Sequence, residues 1–167
     1  MHPNCMNEAA EFAERFAPKH PALKIADIGS MDVNGTMRPA FAGHEYVGFD
    51  IAPGKGVDVV LANPEVIEAE SGSFDVVISA NAIEHMRRPW LVVKEMARIL
   101  KPGGAMFIMA PCRHAYHPYP IDCWRIYAEG MRGLLENAGM KVIEVRDDSH
   151  EEARRPCGDT VGIAVKP

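Results

Sequence analysis

The chain of 167 residues lacks a long hydrophobic run, a closely spaced cysteine pair and an excess of positive charge. No apolar stretch approaches the roughly 20 residues that a membrane-spanning helix needs, so a membrane is not an expected partner. The formal net charge of −5 provides no broad basic surface for a phosphate backbone, which argues against nucleic acid. Residues 1–21 carry charges throughout, unlike a secretory signal. These absences predict a cytoplasmic protein.

The cysteines are few and far apart in sequence: Cys5, Cys112, Cys123 and Cys157. Zinc ribbons and dithiol redox sites instead use paired cysteines at short spacing. His114 and His117 lie near two of these cysteines, but their spacing matches no usual set of metal ligands. We therefore expect free thiols and no metal site.

The length fits one domain with a sizeable core, and no internal repeat is visible. We predict a single domain over residues 1–167, in which residues 1–21 hold an N-terminal helix and residues 22–167 form an α/β core. The helix spans Asn4–Phe16, with apolar residues on one face, glutamates on the other and Asn4 as its cap.

Apolar runs bounded by turn residues predict the strands of this core. The first four are Leu23–Ile28, Tyr46–Ile51, Val57–Ala62 and Phe74–Ser79, and the last three are Ala105–Ala110, Met140–Val145 and Thr160–Val165. Helices are predicted at Pro89–Leu100 and Glu129–Asn137. The first four runs are apolar almost throughout, which is typical of a parallel sheet covered on both faces.

The connections between the early strands are short. Residues 52–56 alone separate the second strand from the third, whereas a parallel crossover usually takes a dozen residues or more. Either this return is an extended chain over one face, or the third strand is short or misassigned. Residues 35–44 and 63–73 are also lean connections. We expect reduced helical cover on one face and, through that apolar face, a homodimer.

The first predicted strand ends at Asp27-Ile28-Gly29-Ser30, and the second closes with Asp50. In an α/β fold, such a glycine lets a nucleoside approach the backbone, and such an acid accepts hydrogen bonds from ribose hydroxyls. The Gly-x-Gly-x-x-Gly spacing of nicotinamide dinucleotide sites is missing. These residues predict a nucleoside pocket at one edge of the sheet.

Five segments in order resemble the small, single-domain class I S-adenosylmethionine-dependent methyltransferases. They are Asp27–Ser30, Asp50, Ser73–Ser79, Ala82–His85 and Ile99–Gly104. The resemblance implies a Rossmann-like methyltransferase fold, a mostly parallel seven-stranded α/β sheet in the order 3-2-1-4-5-7-6 with the seventh strand antiparallel. It also implies S-adenosylmethionine as the cofactor.

The acidic first loop suits a sulfonium cation and an amino acid tail better than a pyrophosphate, which helix N-termini bind. By the resemblance, Asp50 holds the ribose and Asn63 accepts the adenine amino group. Asp50 has the alternative role of capping the following turn. The full set of expected cofactor-binding residues is Asp27, Gly29, Ser30, Asn34, Asp50, Ile51, Asn63, Ser79, Asn81 and Ala82.

The segment Pro111–Tyr127 is long, lacks a periodic pattern and gathers histidines, tyrosines and tryptophan. Loops of this length in a compact domain are usually functional, so we expect it to form the pocket for a methyl acceptor. The residues expected to bind this substrate are Tyr119, Asp122, Trp124 and Arg125. Alternatively, Asp122 and Arg125 pair with each other to hold the loop.

His117 and His85 are the expected catalytic residues, because an imidazole that titrates near neutral pH suits a general base. His85 has the alternative role of a cap or packing residue, and His117 that of a surface loop residue. The leading hypothesis is a methyltransferase that acts on a small molecule at oxygen or nitrogen. The alternatives are a noncatalytic domain that binds S-adenosylmethionine and a nicotinamide-dependent oxidoreductase.

Overall fold

The computed structural model describes residues 3–18, 21–148 and 157–167. Its helices are α1 (Pro3–Phe16), α2 (Pro89–Ile99) and α3 (Ala128–Asn137), with single 3-10 turns at Arg38–Phe41 and Ile83–His85. Its strands are β1 (Lys24–Ile28), β2 (Glu45–Asp50), β3 (Val59–Val60), β4 (Phe74–Ala80), β5 (Leu100–Arg113), β6 (Lys141–Asp147) and β7 (Gly158–Val165). None of the helices described is long and apolar enough to cross a membrane.

The seven strands form one sheet in the order β3-β2-β1-β4-β5-β7-β6, which confirms the predicted order. The pairs from β3 through β5 are parallel, and β7 runs antiparallel to both β5 and β6. Parallel pairing brings the carboxyl ends of β1, β2, β4 and β5 to the same edge of the sheet. Open α/β sheets bind their ligands at this edge.

The third strand is much shorter than the predicted Val57–Ala62. It pairs with β2 through Val59 and Val60 alone. Before this pairing, the Asp58 carboxylate accepts a hydrogen bond from the Gly48 amide at 2.7 Å, and the Asp58 amide donates to the Gly48 carbonyl at 2.8 Å. The chain therefore turns back beside β2 without a crossover helix, which explains the short connection.

Two apolar layers enclose the sheet. On one face, α2 and α3 bury Val92, Val93, Met96, Met131 and Leu135 against alternate strand residues. On the other face, α1 and the turn at Arg38–Phe41 supply the cover: Ala9, Phe12, Ala13, Met37 and Phe41. The second face thus carries one α-helix, as the short connections predicted.

The helix α1 begins at Pro3, so Asn4 lies inside the helix and not before it. The predicted capping by the Asn4 side chain lies outside the described residues. Farther along, Arg15 pairs with Glu144 at 2.9 Å, and Glu8 pairs with Arg146, which tie α1 to the edge strand β6. These exposed pairs add little stability each, and the buried face of α1 contributes most of its binding to the sheet.

Candidate active site

A cavity of about 1090 Å³ opens at the carboxyl edge of β1, β2, β4 and β5. Its walls come from the loops that follow these strands and from the segment after β5. Of the expected cofactor residues, eight line it: Asp27, Gly29, Ser30, Asn34, Asp50, Ile51, Asn81 and Ala82. Of the residues expected in catalysis and acceptor binding, His85, His117 and Tyr119 line it. Residues of the expected cofactor site and of the expected acceptor site therefore line one cavity.

Gly29 ends β1 in a conformation that an L-residue rarely adopts, with φ of +82°. A Cβ atom at this position would lie 2.2 Å from the Cβ of Ala82, in the loop after β4. The Gly29 amide also donates to the Phe49 carbonyl at 2.8 Å. Glycine is therefore required here by the backbone and by the close approach of two cavity loops.

The Asp50 carboxylate joins the loop after β1 to the loop after β2. Oδ2 accepts a hydrogen bond from the Met31 amide at 3.1 Å, and Oδ1 accepts one from the Ile51 amide at 2.7 Å. The predicted capping role is thus present. Each carboxylate oxygen has two lone pairs, so Asp50 retains the capacity to accept further hydrogen bonds from a ligand.

Asp27 is a buried carboxylate on the cavity wall, with 4% of its surface exposed. Its Oδ2 accepts a hydrogen bond from the Tyr46 hydroxyl at 2.6 Å, whereas Oδ1 has no hydrogen-bond partner among the residues that the structure describes. Burial raises the pKa of this carboxyl to about 7, although the Tyr46 hydrogen bond opposes the shift. An unpaired carboxylate oxygen in such a wall is suited to a cationic group of a ligand.

Asn81 follows β4 with φ of +50°, a conformation that asparagine tolerates better than most residues. Backbone strain of this kind clusters at functional sites, and Asn81 lines the cavity beside Ala82. The end of β4 therefore contributes a strained turn to the cavity wall.

Two expected cofactor residues do not line the cavity. Ser79 is buried within the sheet, and its hydroxyl donates to the Ile28 carbonyl at 2.8 Å, linking β4 to β1. Asn63 is exposed, and its Oδ1 accepts a hydrogen bond from the Glu65 amide at 3.0 Å. Because β3 ends at Val60, Asn63 falls in a surface turn, and Leu61 lines the cavity in that region instead.

Asp122 and Arg125 form a bidentate ion pair, with Nη1 to Oδ1 at 2.6 Å and Nη2 to Oδ2 at 2.7 Å. The guanidinium holds the pKa of the Asp122 carboxyl well below its usual range. Asp122 Oδ2 also accepts the His117 amide at 2.8 Å, and Arg125 Nη2 donates to the Ala115 carbonyl at 3.0 Å. The pair therefore holds the loop, as the alternative interpretation stated, and does not line the cavity.

Trp124 contacts the turn after β4 and does not line this cavity. Its indole N–H donates to the Met86 carbonyl at 2.8 Å, and its ring packs edge to face with Trp90 at 6.1 Å between centroids. Tyr119 is the member of the expected substrate set that lines the cavity, with its hydroxyl 3.8 Å from the Met31 sulfur.

Glu84 lines the cavity and is not among the site residues expected from the sequence. It is fully buried, and neither carboxylate oxygen has a hydrogen-bond partner among the described residues. Its Oε1 lies 3.6 Å from His85 Nε2 and 3.8 Å from His117 Nε2. Burial raises the pKa of the Glu84 carboxyl to about 8, and burial lowers the pKa of His85.

The loop after β5 creates the burial of Glu84. The amides of Cys123 and Trp124 both donate to the Glu84 backbone carbonyl, at 2.9 and 3.1 Å, which fastens the loop to the turn after β4. A glutamate placed between an isoleucine and a histidine carries no local signal of this contact. The contacts that fasten this loop come from residues 39 and 40 positions later in the chain.

A family model described as a methyltransferase domain matches residues 26–108. A ubiquinone biosynthesis O-methyltransferase of Parvibaculum lavamentivorans is 38% identical over 55 residues, which are 33% of this chain and 22% of that protein. An uncharacterized methyltransferase of Mycolicibacterium gilvum is 32% identical over 95 residues, covering 49% of this chain and 36% of the relative. The matches thus span about a fifth to a third of these relatives' lengths.

Solved structures share the fold. A putative methyltransferase of Bacillus halodurans superposes with a TM-score of 0.73 at 15% identity, covering 96% of this chain and 99% of the other. The cyclase SpnF gives a TM-score of 0.74 at 17% identity, covering 97% of this chain and 81% of the other. The matched domain, the sheet order and the glycine and acid at the cavity agree with one another. Residues 26–108 thus match a methyltransferase domain, and the chain is similar to S-adenosylmethionine-dependent methyltransferases in sequence and in fold.

Proposed function

We propose that this protein transfers a methyl group from S-adenosylmethionine to an oxygen or nitrogen atom of a small molecule. The observation that carries the proposal is the shared cavity. Gly29 and Asp50 form walls suited to a nucleoside, while His85 and His117 bring two imidazoles to the same space. Methyl transfer requires these two functions side by side, because the acceptor must meet the sulfonium methyl directly.

The residues of the cavity fit the cofactor. The unpaired Oδ1 of Asp27 suits the cationic amino group, and the lone pairs of Asp50 suit the ribose hydroxyls. Leu61 and Pro64 provide apolar surface for the adenine in place of the polar contact expected from Asn63. When bound, the cofactor supplies an electrophilic methyl group on a sulfonium.

Methyl transfer requires that the acceptor atom be positioned against the methyl group and that the acceptor lose one proton. The acceptor lone pair forms a bond to the methyl carbon while the carbon–sulfur bond breaks, and the sulfur leaves as a neutral thioether. The proton of a hydroxyl or amine acceptor must then be taken up. In this proposal, His117 accepts it at Nε2, in the tautomer whose Nδ1 donates to the Ala115 carbonyl at 3.0 Å and not in the one whose Nδ1 accepts from Arg125 Nη2 at 3.3 Å.

Binding and turnover test the proposal separately. Titration calorimetry with S-adenosylmethionine, S-adenosylhomocysteine and NAD should give heat with the first two and none with NAD. Release of S-adenosylhomocysteine is then measured with a panel of phenols, catechols, amines and hydroxy acids. Binding without turnover on any acceptor favours the noncatalytic alternative. That alternative deserves the test because the fold neighbour SpnF is a cyclase, and fold alone does not establish chemistry.

Asp50→Ala should weaken S-adenosylhomocysteine binding by about 1–3 kcal/mol, as expected when hydrogen bonds to a charged group are lost. Calorimetry measures this difference, and circular dichroism checks the fold. Asp75→Ala is the matched control, because Asp75 also accepts a backbone amide, that of Lys24 at 2.9 Å, but does not line the cavity. Equal affinity in a folded Asp50 variant excludes its ribose role.

The affinity for S-adenosylhomocysteine should rise by about tenfold between pH 6 and pH 8 if the ligand's amino group binds the ionised Asp27. Burial raises the pKa of Asp27 to about 7, so the unliganded carboxyl loses its proton across this interval. Only the carboxylate attracts the cation. Asp27→Asn should remove this part of the pH dependence. Parallel pH profiles for the two proteins contradict the role of Asp27.

The identity of the methyl acceptor is part of this proposal. Self-association of the chain is a further part of it. Self-association into a homodimer stays a prediction of the sequence. The face expected to drive it is covered by α1 and by the turn at Arg38–Phe41.

A further inference from the structure

We propose that Glu84, His85 and His117 bind a divalent transition-metal ion on the cavity wall. These three side chains offer one carboxylate oxygen and two imidazole nitrogens that all lie within 4.8 Å of one another. All three residues line the cavity that also holds the cofactor residues. No metal site was expected from the sequence, because metal ligands are recognised there by short spacing, whereas His85 and His117 lie on two loops 32 residues apart.

The distances suit a single ion. Glu84 Oε1 is 3.6 Å from His85 Nε2 and 3.8 Å from His117 Nε2. Around a tetrahedral ion with bonds of about 2.0–2.2 Å, ligand atoms lie roughly 3.3–3.6 Å apart. Small movements of the two rings would therefore complete the coordination.

Both imidazoles place their Nε2 atom near the Glu84 carboxylate, where it can bind a metal ion. His85 Nδ1 lies 2.6 Å from the Ile121 carbonyl, and His117 Nδ1 lies 3.0 Å from the Ala115 carbonyl. A carbonyl oxygen only accepts, so these contacts favour the tautomers with a protonated Nδ1 and a lone pair on Nε2. His117 Nδ1 also lies 3.3 Å from Arg125 Nη2, a longer contact than the one to the Ala115 carbonyl. Metal-binding histidines commonly donate their other ring N–H in this manner, which fixes the ring for coordination.

Without an ion, these atoms are poorly accommodated. Two nitrogen lone pairs face a carboxylate that is fully buried and has no hydrogen-bond donor among the described residues. Burying such a group without a partner costs several kcal/mol in general. A cation between the three atoms would satisfy all of them at once.

The surrounding residues hold the ligands in place. Asp122 accepts the His117 amide at 2.8 Å and lies with Oδ2 3.4 Å from His117 Nδ1. Arg125 fixes Asp122 through the bidentate pair already described. Asp122 is therefore a positioning residue for the metal ligand, held in place by its half-buried ion pair with Arg125.

The ligand chemistry narrows the choice of ion. Two imidazoles with one carboxylate suit zinc, iron(II), cobalt(II) and related ions, whereas magnesium and calcium prefer sites made of oxygen atoms. Three protein ligands leave a coordination position open. If the proposed methyl transfer is correct, an acceptor hydroxyl can occupy that position and lose its proton more readily, so that the metal, and not His117, activates the nucleophile.

The test uses untagged, chelator-treated protein titrated with Co²⁺ and then with Zn²⁺. We expect one Co²⁺ per chain, with visible absorption of a four- or five-coordinate site and no thiolate charge-transfer band, and displacement by Zn²⁺ but not by Mg²⁺. Glu84→Gln and His117→Gln should each weaken the affinity roughly 100-fold, because each removes a ligand. Asp122→Asn should weaken it by about 10-fold, as outer partners of metal ligands do.

The controls are His44→Asn, which alters a histidine before β2, and Cys123→Ser, which removes an exposed thiol near the site. Both should bind metal like the parent protein. His117→Gln keeps the test decisive if Glu84→Gln does not fold, because the His117 side chain is 32% exposed on the loop. Absence of stoichiometric binding, or equal affinity in the ligand variants, overturns the proposal. Because the readout is metal binding alone, a protein that binds metal without methylating any acceptor contradicts only the proposed function.

Discussion

Replacing Gly29 with alanine should lower the affinity for S-adenosylhomocysteine at least about 100-fold and reduce the free energy of unfolding by about 2–4 kcal/mol. The added Cβ meets the Cβ of Ala82 at 2.2 Å, and the backbone at φ of +82° disfavours any L-residue. Either the loop after β1 or the turn after β4 must move. Both form the cavity wall, so binding suffers along with stability. Calorimetry and denaturant unfolding measure the two effects.

Gly43→Ala is the matched control for this result. Gly43 has a similarly positive φ of +95°, but an added Cβ meets nothing within 4 Å. Its substitution should cost only the backbone strain, of about 1–2 kcal/mol, and leave cofactor affinity unchanged. The double variant Gly29→Ala with Ala82→Gly should recover part of the lost binding, because it removes the colliding atom. Normal affinity in Gly29→Ala would show that the cofactor does not approach this loop.

His117→Ala should reduce turnover by about 10²–10⁴-fold while changing cofactor affinity by less than about threefold. His117 either takes the acceptor proton itself or binds the ion that acidifies the acceptor, and both roles act on the acceptor side. Tyr119→Phe should lower turnover more modestly, because the Tyr119 hydroxyl lines the cavity but the ring is retained. Steady-state kinetics and calorimetry measure the two quantities separately.

Tyr116→Phe is the control, since Tyr116 is 76% exposed and does not line the cavity. It should leave turnover unchanged. Treatment of the parent protein with a chelator separates the two roles of His117: a loss of turnover that Zn²⁺ restores identifies the metal route, and unaffected turnover identifies the general base. Full activity of His117→Ala in either condition would remove this residue from the reaction.

The positions of the strands were predictable from local signals, whereas the sheet order followed from the resemblance to a methyltransferase family. Near-continuous apolar runs identified the parallel strands, and Gly29 and Asp50 end two of them at one edge. Gly29 has the positive φ that its position implied, and Asp50 accepts the amides of both adjoining loops. Such features follow from backbone geometry within a few residues.

The positions that could not be predicted belong to residues whose surroundings depend on distant contacts. Asn63 was placed after a strand of six residues, but β3 is two residues long because tight backbone pairing at Asp58 replaces a crossover. Glu84 gave no sign of its burial, which requires the loop after β5 to fold back onto its carbonyl. The choice between substrate binding and loop support for Arg125 depended on where the Asp122 carboxylate lies.

The most direct measurement of the central claim is a crystal structure with S-adenosylhomocysteine bound. We expect the ribose hydroxyls to bind Asp50 and the amino group to lie at Asp27. The sulfur should face the part of the cavity lined by His85, His117 and Tyr119. A methyl group on that sulfur would then point at the acceptor. A structure in which the sulfur faces away from these side chains, or in which the nucleoside binds outside this cavity, would contradict the account.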